Sequence, residues 1–354
     1  MTGGWDRTSA FSARAIGAGV MSFVLLALGC AGTTPPPETN GVDLRPRVEG
    51  PLHRWLPEGG DPVVLFNPQV LVDQGPMRDV VHALVGSDFV GRIQQRTAID
   101  LLSIQETALS FYDDETLLLA RGPYAAEEVV TVVGMHMRVL LQEDSEPTRI
   151  SGTYDGRTLV HAAAIGPREI ALSRGEGSTL SRLLQLIHGR ENRAPDRLNV
   201  ADIRLALNGL THTHLRILVG SPPRLPLDSP LGLLLANQRA LAIAIGDEGP
   251  SHLGIELAFV GEFPEGAEAN FRHWIGAMAT DDLGRVMGLD TSLASLDIVA
   301  SPDRIIVSFA LPSEQVVRGV RILFDAEIAD FLHWSEVEET PEPLSSTQIE
   351  PRHR

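Results

Sequence analysis

The sequence predicts an α+β body made of two similar units, and three observations carry that expectation. β-rich runs arrive in pairs across short polar turns, so the strands pair as antiparallel hairpins. Helix-spaced segments separate the pairs in the order β-β-α-β-β-α, not the strict β-α alternation of a doubly wound fold. The order recurs after about 130 residues, with 107–141 lying over 240–278, which reads as an internal duplication. Antiparallel sheets with helices packed on one face follow from this layout.

The first unit is expected to span residues 61–195. Residues 62–72 (PVVLFNPQVLV) are β-rich, and 76–85 and 88–99 have helical spacing. Residues 107–112 (TALSFY) and 116–121 (TLLLAR) form a hairpin around Asp113-Asp114-Glu115. Gly122-Pro123 ends that strand, and 125–141 reads as one long apolar helix. Three short strands follow at 149–153, 158–164 and 169–174, separated by Asp155-Gly156 and Gly166-Pro167. A helix over 178–188 closes the unit, with Leu180, Leu183, Leu184 and Ile187 at 3.6-residue spacing.

The second unit is expected to span 196–335. Strands are predicted at 203–206 and 214–219, and a short helix at 230–237. Residues 240–246 and 252–260 form a hairpin across 247–250. A helix over 265–278 opens after Pro264. Residues 294–299 and 304–310 pair across Ser301-Pro302-Asp303, and a last helix covers 313–332 with Ser313 as its N-cap. Residues 336–354 are polar and Pro-containing, which predicts a disordered tail.

Ahead of the body, Arg7 and Arg14 stand against the single acid Asp6, and residues 15–29 form a charge-free stretch. A positive segment, an apolar run and small residues make a secretory signal peptide over residues 1–29. The run is shorter than the ~20 residues that span a bilayer. The one cysteine of the chain, Cys30, follows it directly. Residues 30–60 are rich in Pro, Gly and Thr with no apolar period, which predicts a hydrated tether.

On the residues Leu26-Ala27-Leu28-Gly29-Cys30 the segment resembles a bacterial lipoprotein signal peptide, with Ala27 and Leu28 in swapped order relative to the family's pattern. The resemblance implies export, cleavage before Cys30, and a lipid on that cysteine which holds the protein to the periplasmic or outer-membrane face of the bacterial cell envelope. Ordinary secretory cleavage after Gly29 or Ala31 is the other reading of the same residues. The layout of most of the chain resembles uncharacterised duplicated α+β envelope lipoproteins, without a diagnostic motif. That likeness implies a fold and a location, and no catalytic residue.

Composition excludes several kinds of chemistry. The 354 residues are 43% hydrophobic, enough to fold, and a single cysteine forbids an internal disulfide or a Cys-rich metal site. There is no lysine: all 29 basic residues are arginine. A Schiff-base lysine, a P-loop lysine and a Ser-Lys dyad are therefore ruled out. Removing residues 1–29 takes away Arg7, Arg14 and Asp6 and leaves 27 arginines against 45 acids, a net charge of −18. A chain that negative repels phosphate backbones, so no nucleic-acid partner is expected.

Five segments carry residue types capable of chemistry. His212 and His214, if extended, point to one face and are the best metal candidates; two imidazoles leave Zn²⁺ half-coordinated, so a solvated strand end is the simpler reading. Met135-His136-Met137 lists copper-type ligands, but on a helix the three side chains diverge by about 100° each, which favours core packing of the methionines. Arg174-Gly175-Glu176-Gly177-Ser178-Thr179 is a glycine turn opening a helix; Ser178 or Thr179 as N-cap explains it better than a phosphate cradle beside Glu176. The acids Asp113-Asp114-Glu115 and Asp281-Asp282 lack calcium-loop spacing and read as solvated turns and helix caps. No catalytic residue, cofactor or metal is predicted.

The expected function is that of a lipid-anchored, non-enzymatic binding or assembly protein, with another envelope component as partner. Two alternatives stand beside it. One is a carrier or sensor of an apolar ligand held between sheet and helices, suggested by the apolar surplus of 125–141 and 230–246. The other is an enzyme whose residues converge only in space.

Overall fold

A computed structural model describes residues 48–73, 75–88, 90–91, 94, 100–143, 148–153, 159–189, 201–220, 232–233, 235–281, 284–285 and 288–321. Cys30, the signal segment and the tail lie outside the described residues, as do most of 88–99 and residues 230, 231 and 234 of the helix expected at 230–237.

The first half of the chain contributes β1 (Val63–Phe66), α1 (Pro68–Asp73), α2 (Gly75–Val85), β2 (Glu106–Phe111), β3 (Thr116–Arg121), α3 (Ala126–Met135), β4 (Arg138–Glu143), β5 (Arg149–Thr153), β6 (Leu159–Ala164), β7 (Glu169–Arg174) and α4 (Ser178–Ile187). The second half contributes α5 (Ala201–Leu207), β8 (Leu215–Val219), β9 (Gln238–Asp247), β10 (His252–Gly261), α6 (Ala267–Thr280), α7 (Leu289–Ser292), β11 (Asp297–Ser301), β12 (Arg304–Pro312) and α8 (residues 313–321).

Among the described residues, all twelve strands belong to one antiparallel sheet, in the order β11-β12-β10-β9-β8-β1-β2-β3-β7-β6-β5-β4. The halves are joined by β1 and β8, which pair over four residues from Val63↔Leu218 to Phe66↔Leu215. This corrects the expectation of separate sheets: the core runs through the seam, and Leu117 and Ala242 from opposite halves share one cluster.

Helices cover both faces, not one. Consecutive strand residues point to opposite sides, and neighbours such as Val63 and Val64, Leu117 and Leu118, or Ala162 and Ala163 enter different cores. On the first face, α1, α2 and α3 pack through Leu71, Val80, Val129 and Val133, with Val316, Val317 and Val320 of α8 beside them. On the same face α6 lays Phe271 and Ile275 against Phe259, Ile305 and Val307. On the second face, Leu180 and Leu183 of α4 and Ile203 and Ala206 of α5 cover the sheet. The physical sign of two-sided burial is present in strands such as TLLLAR, whose four central residues are all buried.

Several elements depart from the sequence expectation. The β-rich run at 62–72 ends at Phe66, where Asn67-Pro68 opens α1, and the Asn67 side chain accepts the amide of Gln69 at 3.0 Å. Residues 203–206 are helical: Ile203 and Ala206 bury one face at i, i+3 spacing. The long helix over 125–141 stops at Met135, and β4 follows, so that part of the run became an edge strand. Ser313 opens α8 inside its first turn, and its amide bonds the carbonyl of Ser251.

The tether ends earlier than residue 60. Leu52 is fully buried, and Val48, Trp55 and Leu56 join it in the second-face core. Arg121 on β3 fastens this strap: its Nη2 donates to the carbonyl of Val48 (2.9 Å), its Nη1 to the carbonyl of Gly50 (3.0 Å) and to Glu106 (2.9 Å), and its Nε to Glu169 (2.8 Å). The other oxygen of Glu106 accepts the amide of Leu52 at 2.7 Å. Four apolar residues scattered among prolines and glycines show no period, which is why they read as spacer.

Candidate functional site

The histidines singled out by the sequence lie before β8, not within it, since the strand begins at Leu215. Glu256, pointing from β10 onto the second face, organises this corner. Its Oε2 accepts the amides of Thr211 (2.7 Å) and His212 (2.9 Å), and its Oε1 accepts the Thr211 hydroxyl (2.7 Å). Burial raises the Glu256 carboxyl pKa, but the His212 and Thr211 hydrogen bonds outweigh it and hold the group below its ordinary range. The Arg216 Nε returns a bond to the carbonyl of His212 at 3.0 Å.

The His212 ring rests on a cross-strand glycine pair, Gly246↔Gly254. A Cβ on Gly254 would lie 2.1 Å from Nε2, and one on Gly246 2.7 Å from Nδ1, so only glycine leaves room for the imidazole. Nε2 stands 3.8 Å from Glu248. His214 keeps a buried Nδ1 without a hydrogen-bond partner. Among the described residues, no group of three or more His, Cys, Asp or Glu assembles that could hold a metal.

A second polar cluster, absent from the sequence expectation, lies where β5, β6 and the start of α4 meet. The Ser151 hydroxyl and His161 Nδ1 are 2.7 Å apart, and His161 Nε2 is 3.0 Å from the carbonyl of Gly175. A carbonyl only accepts, so Nε2 carries the proton and Nδ1 accepts from Ser151. Burial, first, and the positive charge of Arg149 push the imidazole below its usual range; the Gly175 carbonyl and Glu115 partly oppose them. A serine donating to a neutral imidazole is a nucleophile–base geometry, but both side chains are buried, at 7% and 5% exposure. Their bonds fasten the glycine turn of α4 to the sheet.

That turn is the glycine segment considered as a phosphate cradle. Its N-cap is Gly177, in the left-handed region at φ 80°, with no side-chain cap of its own. The amides of Ser178 and Thr179 are taken instead by Glu115, at 2.9 and 2.8 Å. Glu115 is therefore no solvated turn residue: it is 7% exposed. Burial raises its pKa, and the hydrogen bonds from Thr179 and Ser178 overcome that, so the carboxylate stays charged below the ordinary range.

The remaining candidates separate. Met135 ends α3 with 74% of its surface exposed, while Met137 is buried, so core packing holds for the second methionine and not the first. Met135, His136 and Met137 straddle the turn from α3 into β4. Asp281 is exposed after α6, and Asp282 lies outside the described residues. A recess of about 240 Å³ is lined by Asn237, Gln238, Arg239 and Glu262. The Arg239 guanidinium in it pairs with Asp202 at 3.2 Å. The apolar runs that suggested a ligand carrier fill the core: Val129, Val130 and Val133 of α3 on one face, Ala240, Ala242 and Ala244 of β9 on the other.

Together these features define an α+β protein whose buried ionisable groups are tied to main-chain amides and carbonyls. No family model matches the sequence, and no curated protein matches it. Two solved structures of a Treponema protein, TP0453, are similar to the chain. Crystal form III is 10% identical with a TM-score of 0.47, covering 76% of this chain and 96% of that one. Crystal form I is 12% identical with a TM-score of 0.44, covering 78% and 99%. Among the described residues no helix is long and apolar enough to cross a membrane.

Proposed function

We propose that this chain is a lipid-anchored protein of the bacterial cell envelope that works by binding or assembling with another envelope component. One observation carries the preference for binding over chemistry: the buried acids Glu115 and Glu256 and the buried His161 are each engaged by main-chain groups that hold the fold together. A group locked in this way is poorly placed to exchange protons with a substrate. The anchor rests on the charge-free stretch at 15–29 running into Cys30. Labelled fatty acid is expected to enter the wild-type protein in its native envelope and not Cys30→Ser, with the variant released to the soluble fraction. Equal labelling of both, or release of both, overturns the anchor. Cross-linking in intact cells followed by purification is expected to recover a defined envelope partner.

We also read the body as a duplication. The meanders β1-β2-β3 and β8-β9-β10 both run outward from the seam, and each is followed by a first-face helix, α3 or α6. In each half the next sheet positions go to a hairpin paired on the meander's last strand, β7-β6 or β12-β11. The strands β4 and β5 then extend the first half alone.

A further inference from the structure

Among the described residues the sheet ends in two edge strands, β4 and β11, each paired on one side only, and they are not equivalent. β4 carries a register break between Val139 and Leu141, a bulge of the kind that turns an edge away from further pairing. β11 pairs with β12 without interruption from Asp297↔Ser308 to Ser301↔Arg304. Its outer backbone groups follow from the ladder. The amide of Gly261 bonds the carbonyl of Asp303, and the amide of Ala310 bonds the Ser295 hydroxyl. Odd-numbered residues of β12 therefore bond toward β10 and even-numbered ones toward β11. Antiparallel alternation then turns the N–H and C=O of Ile298 and Ala300 outward.

The side chains at this edge favour one kind of strand. Val299 is 59% exposed, and Asp297, Ala300 and Asp303 are exposed with it. Arg304 of β12 donates to the carbonyls of Leu205 and Asn208, and Arg239, whose charge reaches Asp303, is paired with Asp202. Exposed carboxylates thus lie at both ends of β11, on a chain with a net charge of −17. A second copy of this chain would bring like charge to the edge; a basic strand would bring the opposite.

We propose that the β11 edge binds an extended, arginine- or lysine-rich peptide segment of a partner protein by adding it as a thirteenth strand. This rests on the reading of the chain as a binding protein and names the surface and the partner chemistry. Backbone bonds to Ile298 and Ala300 supply affinity, Val299 supplies an apolar contact, and Asp297 and Asp303 select the charge.

The test uses the full chain and a fluorescein-labelled peptide of alternating arginine and valine, followed by anisotropy. Binding should weaken with added salt, and the matching glutamate–valine peptide should not bind. Ala300→Pro removes an outward N–H and should weaken binding about tenfold or more, whereas Ala300→Val keeps the N–H and should bind like wild type. Asp297→Arg, which leaves the hairpin turn at Asp303 intact, should weaken binding of the arginine–valine peptide several-fold while leaving the melting temperature unchanged, and this holds the proposal to account if the proline variant unfolds. Equal binding of both peptides, wild-type binding by Ala300→Pro, or a concentration-dependent dimer lost in that variant would overturn the proposal. Acylation at Cys30 without peptide binding sinks this inference alone; peptide binding without acylation sinks the anchor alone.

Discussion

The carboxylate of Glu115, in the turn between β2 and β3, accepts the amide of Thr179 at 2.8 Å across 64 positions of sequence. The contact replaces the side-chain cap that α4 lacks at Gly177. It places a negative charge at the positive end of the helix dipole. Gly175, at φ 123°, makes the approach possible, because a Cβ there would lie 2.7 Å from the Glu115 side chain.

Glu115→Ala strands the amides of Ser178 and Thr179 and should cost about 3 kcal/mol of unfolding free energy. Glu115→Gln keeps an acceptor and should cost clearly less. Urea denaturation of the three proteins measures both, and a cost below ~1 kcal/mol for the alanine variant would show that water replaces the carboxylate.

Acid should destabilise the protein in two stages. His161 lies below its ordinary value of 6.5 when folded, so as pH falls from 6.5 the unfolded chain takes up the proton first and stability declines. Glu115 and Glu256 lie below their ordinary 4.5, so their contribution is complete above 4.5 and is lost as pH falls through their folded values. His161→Gln, which can still accept from Ser151 and donate to Gly175, should flatten the first stage only. The paired variant Glu115→Gln with Glu256→Gln should flatten the second. Melting temperature against pH for each variant is the measurement, and unchanged profiles would refute the assignment.

Gly254→Ala should destabilise the protein by about 1–3 kcal/mol, because the new methyl meets the His212 ring. His212→Ala should relieve much of that cost. A double-mutant cycle with no coupling between the two positions would contradict the packing.

Removing residues up to 47 should leave stability unchanged, whereas removing them up to 60 deletes Val48, Leu52, Trp55 and Leu56 from the core. At roughly 1.5–3 kcal/mol for each of these four large buried side chains, the second truncation should cost about 6–12 kcal/mol, enough to prevent folding. Arg121→Ala should reproduce part of this loss. Equal denaturation midpoints for the two truncations would return the domain boundary to residue 61.

Hairpins were legible in the sequence because their information is local. Asp113-Asp114, the turn at 248–251 and Pro302-Asp303 each sit between two β-rich runs, and β2–β3, β9–β10 and β11–β12 formed across them. The β1–β8 seam was not legible, because Val63 and Leu218 meet through pairing that no neighbouring residue announces. Residues 136–141 (HMRVLL) continue an apolar run without a breaker, so β4 hid inside the preceding helix. The buried polar clusters were hidden for the same reason. Glu115 in a string of acids looks solvated until Ser178 arrives from 63 positions away, and His161 in LVHAAA announces burial but not Ser151 as its partner.

The seam has a consequence for any attempt to dissect the protein. Cutting the chain in the stretch between α4 and α5 would turn two central strands into raw borders, β1 on one fragment and β8 on the other, each with a row of unmet main-chain groups flanked by apolar side chains. Each fragment alone would be prone to stick to its own copies. The two produced together would carry matching borders and a shared oily interior, the ingredients of a split protein that reassembles.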